Sequence, residues 1–154
     1  MILSDQQVDS MDLGQGSLID LMWTQDAEAV VPNDGSIPDP ESWFPAPGGI
    51  RVFTWVKQPV GATPPTETSG AEVRDFGLAA SYESEHPGMH TSQTVDVNVV
   101  LSGELWLELD DGVTTHLRPG DVVIQNGTRH KWENRTDKPT TVLSVGVGAH
   151  QRDR

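Results

Sequence analysis

Cysteine is absent from this chain, so it has no disulfide framework and no thiolate to serve as nucleophile or metal ligand. Basic residues are scarce, with 10 Lys and Arg against 23 Asp and Glu and a formal net charge of −13. A surface of that sign repels phosphate backbones and anionic lipid, which excludes nucleic acid and membrane surfaces as partners. No run approaches the roughly 20 apolar residues of a transmembrane helix. The N-terminus, MILSDQQVDSMDLGQ, has neither a positive region nor a long apolar run. A secretory leader is therefore not expected, and a cytoplasmic location is the default. Internal repeats and amphipathic helical periodicity are also missing. One domain with a real core is the expectation for 154 residues.

What the sequence does have is short alternating runs punctuated by Gly and Pro. Ser17 to Thr24 is the first credible strand, and Ile50 to Lys57 alternates cleanly. Between them, Pro32, Pro38, Pro40, Pro45 and Pro47 rule out a helix or central strand, leaving an extended connection. Trp43-Phe44 within it reads either as an anchor for that connection or as a lid or pocket wall. From His90 to Asn134 come four or five short β segments. Val97, Val99 and Leu101 alternate with Asn98 and Val100, and Leu105, Leu107 and Leu109 with Trp106 and Glu108. Asp111-Gly112 is a hairpin signal, and Ser102-Gly103 and Arg118-Pro119-Gly120-Asp121 mark further turns. Thr141 to Val147 is a closing strand, and many short strands of this kind point to an antiparallel sandwich or barrel.

Two stretches carry a family resemblance. Gly88-Met89-His90, then Asp96, then Val100-Leu101-Ser102-Gly103-Glu104 resembles the first motif of the cupin superfamily. Pro119-Gly120-Asp121, then Asn126-Gly127-Thr128-Arg129-His130, then Asn134 resembles the second. The resemblance implies an all-β, single-domain cupin β-barrel, a double-stranded β-helix or jelly-roll-like sandwich, with an N-terminal extension. Its expected bounds are an arm with an edge strand and Pro-rich connection over 1–42, the barrel over 43–149, and a tail over 150–154. Phe76 to Glu83 resembles the strand before the first motif. The resemblance also implies a homodimer, with Ser17–Thr24 as a swapped or edge-added strand.

The first motif departs from the family pattern of two histidines and a glutamate. Counting back from Gly103, His90 takes the first histidine position, Ser92 the second, and Asp96 the glutamate position. His130 matches the histidine of the second motif. Gln125-Asn126 stands where a proline precedes that histidine, with one residue fewer, so Gln125 is expected to reach inward.

On an unbulged strand His90, Ser92, Asp96 and Asn98 share one face, and His130, Trp132 and Asn134 share another. The family places both faces inside the barrel. Unpartnered polar groups there would cost about 1–3 kcal/mol each, so metal, water, ligand or one another must satisfy them. His90, Asp96 and His130 have the ligand types of a facial triad, which suits Fe(II) and accommodates Zn(II), Mn(II) or Ni(II). The alternative is a metal-free site in which Asp96 hydrogen-bonds His90 or His130 and the pair acts as general acid and base. Trp132 is an apolar platform or plain core, and Tyr82, the only tyrosine, lines the mouth or donates a proton. His86, His116 and His150 have no assigned role.

The expected function is that of a cupin enzyme acting on an oxygenated, aromatic or polyketide-like small molecule. Its reaction class is lyase, dehydratase, decarboxylase, isomerase or cyclase. The alternatives are a cupin dioxygenase with non-haem iron and a non-catalytic small-ligand-binding cupin.

Overall fold

The computed structural model describes residues 8, 10–12, 17–62 and 76–151. Expectations for the first residues of the arm, for the loop beyond Ala62 and for the end of the tail lie outside them. Among the described residues nine strands run β1 (Ser10–Asp12), β2 (Ser17–Gln25), β3 (Ile50–Lys57), β4 (Thr94–Ser102), β5 (Leu105–Leu109), β6 (Thr114–Leu117), β7 (Val122–Asn126), β8 (His130–Glu133) and β9 (Thr140–Gly148). They form a six-stranded sheet in the order β1-β2-β3-β9-β4-β7 and a three-stranded sheet in the order β6-β5-β8. All pairings are antiparallel. The expected all-β cupin architecture is present as a sandwich rather than a barrel closed by hydrogen bonds.

Alternation decides what each strand buries. On β4, Thr94, Asp96, Asn98 and Val100 share the inner face, and β9 adds Val142, Ser144, Gly146 and Gly148 opposite them in register. β3 continues these rows, with Trp55 beside Val142, Phe53 beside Ser144 and Arg51 beside Gly146. From the smaller sheet come Leu105, Leu107 and Leu117. Leu105 and Val142 are sealed from solvent, at 0% and 1% exposure, and each such side chain contributes about 1.5–3 kcal/mol by leaving water. Trp55 meets Trp132 across the gap at 5.8 Å between ring centroids.

The Pro-rich connection is strapped to the sandwich. Arg51, 1% exposed, donates from Nη1 to the carbonyls of Gln25 and Ile50 at 3.3 and 3.1 Å, and from Nη2 to the Ser42 carbonyl at 2.8 Å. Its Nη2 also pairs with Asp26. Where the connection crosses β9, Gly48 N–H donates to the Gly148 carbonyl, and Gly148 N–H to Gly49. A Cβ on Gly148 would lie 2.0 Å from the Ala46 carbonyl oxygen and 2.5 Å from that of Pro45. Only glycine lets two backbones approach this closely.

Two sequence expectations are corrected. Phe76 to Glu83 is not a strand: Phe76 and Gly77 sit at φ +48° and +84°, and a 3-10 turn follows over Leu78–Ser81. Positive φ at two successive residues cannot continue a pleat, so only Tyr82 bridges its neighbour, His90. His90 in turn is not on the strand of Asp96. It bridges His130 beside the smaller sheet, and the chain crosses to the larger sheet before β4 begins at Thr94. The parity argument therefore holds from Asp96 onward but not across that corner.

Candidate functional site

A cavity open to solvent lies between the sheets. Its walls include Trp43, Phe44, Phe53, Trp55, Leu78 and Trp132, with polar groups set among them. This is the usual make-up of a small-molecule site: apolar walls with few, placed polar atoms.

Four aromatic side chains line up along one wall because adjacent strand segments place them there. Tyr82, His90 and His130 are successive bridge partners. Ring centroids are 4.6 Å apart for Tyr82 and His90, 4.2 Å for His90 and His130, and 5.4 Å for His130 and Trp132. Each imidazole has its Nδ1 against a carbonyl oxygen, Gly88 at 3.2 Å for His90 and Thr128 at 2.8 Å for His130. A carbonyl only accepts, so Nδ1 carries the proton in both rings and Nε2 presents a lone pair. Among the described residues neither Nε2 has a partner, and neither is a sealed orphan atom, so both open on the cavity they line.

Burial holds the pair neutral. It pushes the His130 pKa down to about 4, with the neighbouring His90 charge adding to the effect and the Thr128 carbonyl opposing it. It lowers His90 as well, opposed by the Gly88 carbonyl and helped by Lys57. Lys57 itself lines the cavity and is lowered by burial, against the pull of Glu133. Burial raises Tyr82 and Asp96, the latter despite hydrogen bonds from Thr94 and Ser92.

Of the residues singled out in the sequence, His90, Ser92, Asp96, Asn98, His130, Trp132 and Tyr82 all line the cavity. Asp96 takes its hydrogen bonds from Ser92 Oγ, at 3.0 Å, and Thr94, so the imidazoles are oriented by backbone carbonyls and not by this carboxyl. Among the described residues no three His, Asp or Glu side chains gather into a metal-binding group. The arrangement thus does not fit the three-ligand centre of His90, Asp96 and His130. The Asn98 amide oxygen is engaged internally: Trp55 Nε1 donates to Ser144 Oγ at 2.8 Å, which donates to Asn98 Oδ1 at 2.5 Å. Gln125, 3% exposed, does not line the cavity. Its amide donates to the Thr128 carbonyl at 3.2 Å, the same oxygen that orients His130.

Sequence reading missed Arg51 and Lys57. The signal was present in β3, where Arg51, Phe53, Trp55 and Lys57 share parity. Both faces of that strand look apolar in sequence, so the polar ends of the aromatic face drew no attention.

The β-sandwich, with its aromatic-walled cavity and inward imidazole pair, has the architecture of the double-stranded β-helix class. The cupin domain model matches residues 79–146, and that stretch supports a place in the cupin superfamily. It is 30% identical over 116 residues to oryzines biosynthesis cluster protein J of Aspergillus oryzae, covering 64% of each chain. It is 41% identical over 76 residues to the cupin-domain-containing oxidoreductase srdB of Neurospora crassa, covering 49% of this chain and 37% of that one. The chain thus spans less than two thirds of each of these relatives. The polyketide cyclase RemF from Streptomyces resistomycificus shares the fold, with a TM-score of 0.55 at 16% identity over 95% of this chain and 79% of RemF.

Proposed function

We propose that this chain is a cupin enzyme that moves protons on an oxygenated aromatic or polyketide-like molecule seated in the cavity. The observation that carries this is the His90–His130 pair, with both protons fixed on Nδ1 and both Nε2 lone pairs open to an aromatic-walled space. His130, held neutral by burial, is the base that removes a proton from carbon beside a carbonyl. His90 lies ring to ring with it, so the proton can be returned to a departing hydroxyl, releasing water, or to a different carbon. The first outcome is a dehydration or cyclisation and the second an isomerisation. Gln125 and Thr128 hold His130 in register, and Lys57 supplies positive charge on the His90 side. The biosynthesis-cluster relative and the fold shared with a polyketide cyclase support the substrate class.

The test is hydrogen–deuterium exchange at the α-carbon of 2-tetralone, followed by proton NMR in D2O. Wild type should accelerate it, and His130→Ala should lose at least about 100-fold of that acceleration, the low end for a general base. Equal exchange with and without the His130 side chain would sink the reading. A second reading, oxidoreductase, is favoured by the similarity to srdB, a cupin-domain-containing oxidoreductase. It predicts oxygen uptake with added Fe(II) instead of exchange.

A further inference from the structure

The two ends of the Asn98 amide have different surroundings. Asn98 lies on the inner face of β4, 8% exposed, and lines the cavity. Trp55 Nε1 can only donate, so Ser144 Oγ accepts from it and gives its own proton to Asn98 Oδ1. That relay fixes which end of the amide is oxygen and leaves Nδ2, with its two N–H groups, on the other side. Nδ2 has no hydrogen-bond partner among the described residues, and it is not a sealed atom. The space it reaches is therefore the cavity that Asn98 lines. Asn98 belongs to the larger sheet and His130 to the smaller, so the amide donor and the imidazole approach one cavity from opposite walls. Trp55 and Trp132 meet across the same gap, and the His130 ring stands edge-on to Trp132 at 5.4 Å.

We infer that Asn98 Nδ2 binds the carbonyl oxygen of the substrate and so orients a ketone against His130. A carbonyl oxygen only accepts and an amide N–H only donates, and a donor this deeply buried gains most from being met. When His130 takes the α-proton, the C–H electron pair becomes the C=C bond of an enolate. The carbonyl π pair then comes to rest on the oxygen that Asn98 holds. A donor already fixed by Ser144 and Trp55 needs no reorganisation to receive that charge. Trp55 and Trp132 supply the apolar walls for the ring that carries the carbonyl. A carboxylate suits the position less well, because Asp96 lies two residues away on the same face of β4 and also lines the cavity. The inference rests on the proposed function for the direction of proton transfer, whereas the carbonyl contact is a matter of binding and is read without turnover.

The experiment measures dissociation constants on the full chain, from the fluorescence of the cavity tryptophans, for 2-tetralone and for tetralin, the same ring system without the carbonyl. Wild type should bind 2-tetralone about tenfold more tightly, the worth of one well-made buried hydrogen bond. Asn98→Asp keeps the acceptor for Ser144 and replaces only the donor. It should bring 2-tetralone to within about twofold of tetralin, while tetralin itself stays within about twofold of its wild-type affinity. His130→Ala should leave the ketone preference intact. In the infrared, the carbonyl stretch of bound 2-tetralone should lie at lower frequency on wild type than on Asn98→Asp. Equal binding of the two compounds to wild type overturns the inference, as does a preference that survives in Asn98→Asp. Whether or not that variant folds, a wild-type carbonyl stretch no lower than that of 2-tetralone in an apolar solvent also overturns it. Failure of both compounds to bind removes the cavity reading with it. A ketone preference without deuterium exchange keeps the Asn98 contact and removes only the proton chemistry.

Discussion

Lowering the pH charges a histidine that the fold holds neutral, and the consequence for stability can be worked out for His130. Its side chain is 3% exposed, and its pKa falls from 6.5 to about 4 on folding. A depressed folded-state pKa means the unfolded chain binds the proton first. The stabilising difference is therefore fully present above pH 6.5 and is lost as pH falls toward 4. At pH 4.5 these two values give a loss of about 2–3 kcal/mol, and at pH 7.5 almost none. Carboxylates titrate in the same window, so the comparison must be with His130→Asn. Urea unfolding of both proteins at pH 7.5 and 4.5 isolates the histidine. The wild-type free energy should drop by about 2–3 kcal/mol more than that of the variant. Parallel pH dependence in the two proteins would refute the claim that burial keeps this imidazole uncharged. The same neutrality places the acid limb of any His130-dependent rate well below pH 6.5, with activity lost as pH falls toward 4.

Gly148→Ala should destabilise the chain by about 1–3 kcal/mol or more, the cost of overpacking, since its Cβ would meet backbone and not a movable side chain; thermal melts measure it. Trp43, 5% exposed and 4.9 Å from the Phe53 ring, is both anchor and cavity wall. Trp43→Ala should therefore cost about 3 kcal/mol in chemical unfolding and also weaken ligand binding, whereas an unchanged affinity would make it an anchor alone. The six-stranded sheet ends on β7, where Val122 and Ile124 are 57% and 60% exposed. Pairing such a face across a two-fold axis covers it, so a homodimer is expected, and sedimentation as a monomer at micromolar concentration would contradict it.

The strands were readable wherever alternation met a turn signal. Ile50–Lys57 matches its expected bounds, and the hairpin at Asp111-Gly112 joins β5 to β6 with Gly112 at φ +75°. Phe76 to Glu83 was not readable, because its short apolar spacing fits a strand or a tight turn until backbone sign is known. The corner between His90 and Thr94 was equally hidden: a chain that changes sheets resets which face each parity points to. The site followed the same rule. His90 and His130 are adjacent because two bridges lie side by side, whereas the Asp96 hydroxyl partners reflect the new parity after the corner. Arg51 and Lys57 were concealed because period two does not say which of two apolar faces is inside.

The family motifs begin after β3 has ended, yet Arg51, Phe53, Trp55 and Lys57 come from before them. The half of the chain that supplies the imidazoles is thus separate from the half that supplies Trp43, Phe44, Phe53 and Trp55 to the cavity wall. Residues in β3 and its strapped connection can be exchanged to reshape that surface while the imidazole pair keeps its own supports, Gly88 and Thr128. The division also has a hazard. A fragment cut to the motif region would leave β9 without its β3 partner, baring a row of backbone donors and acceptors, which is the template from which sheet proteins aggregate.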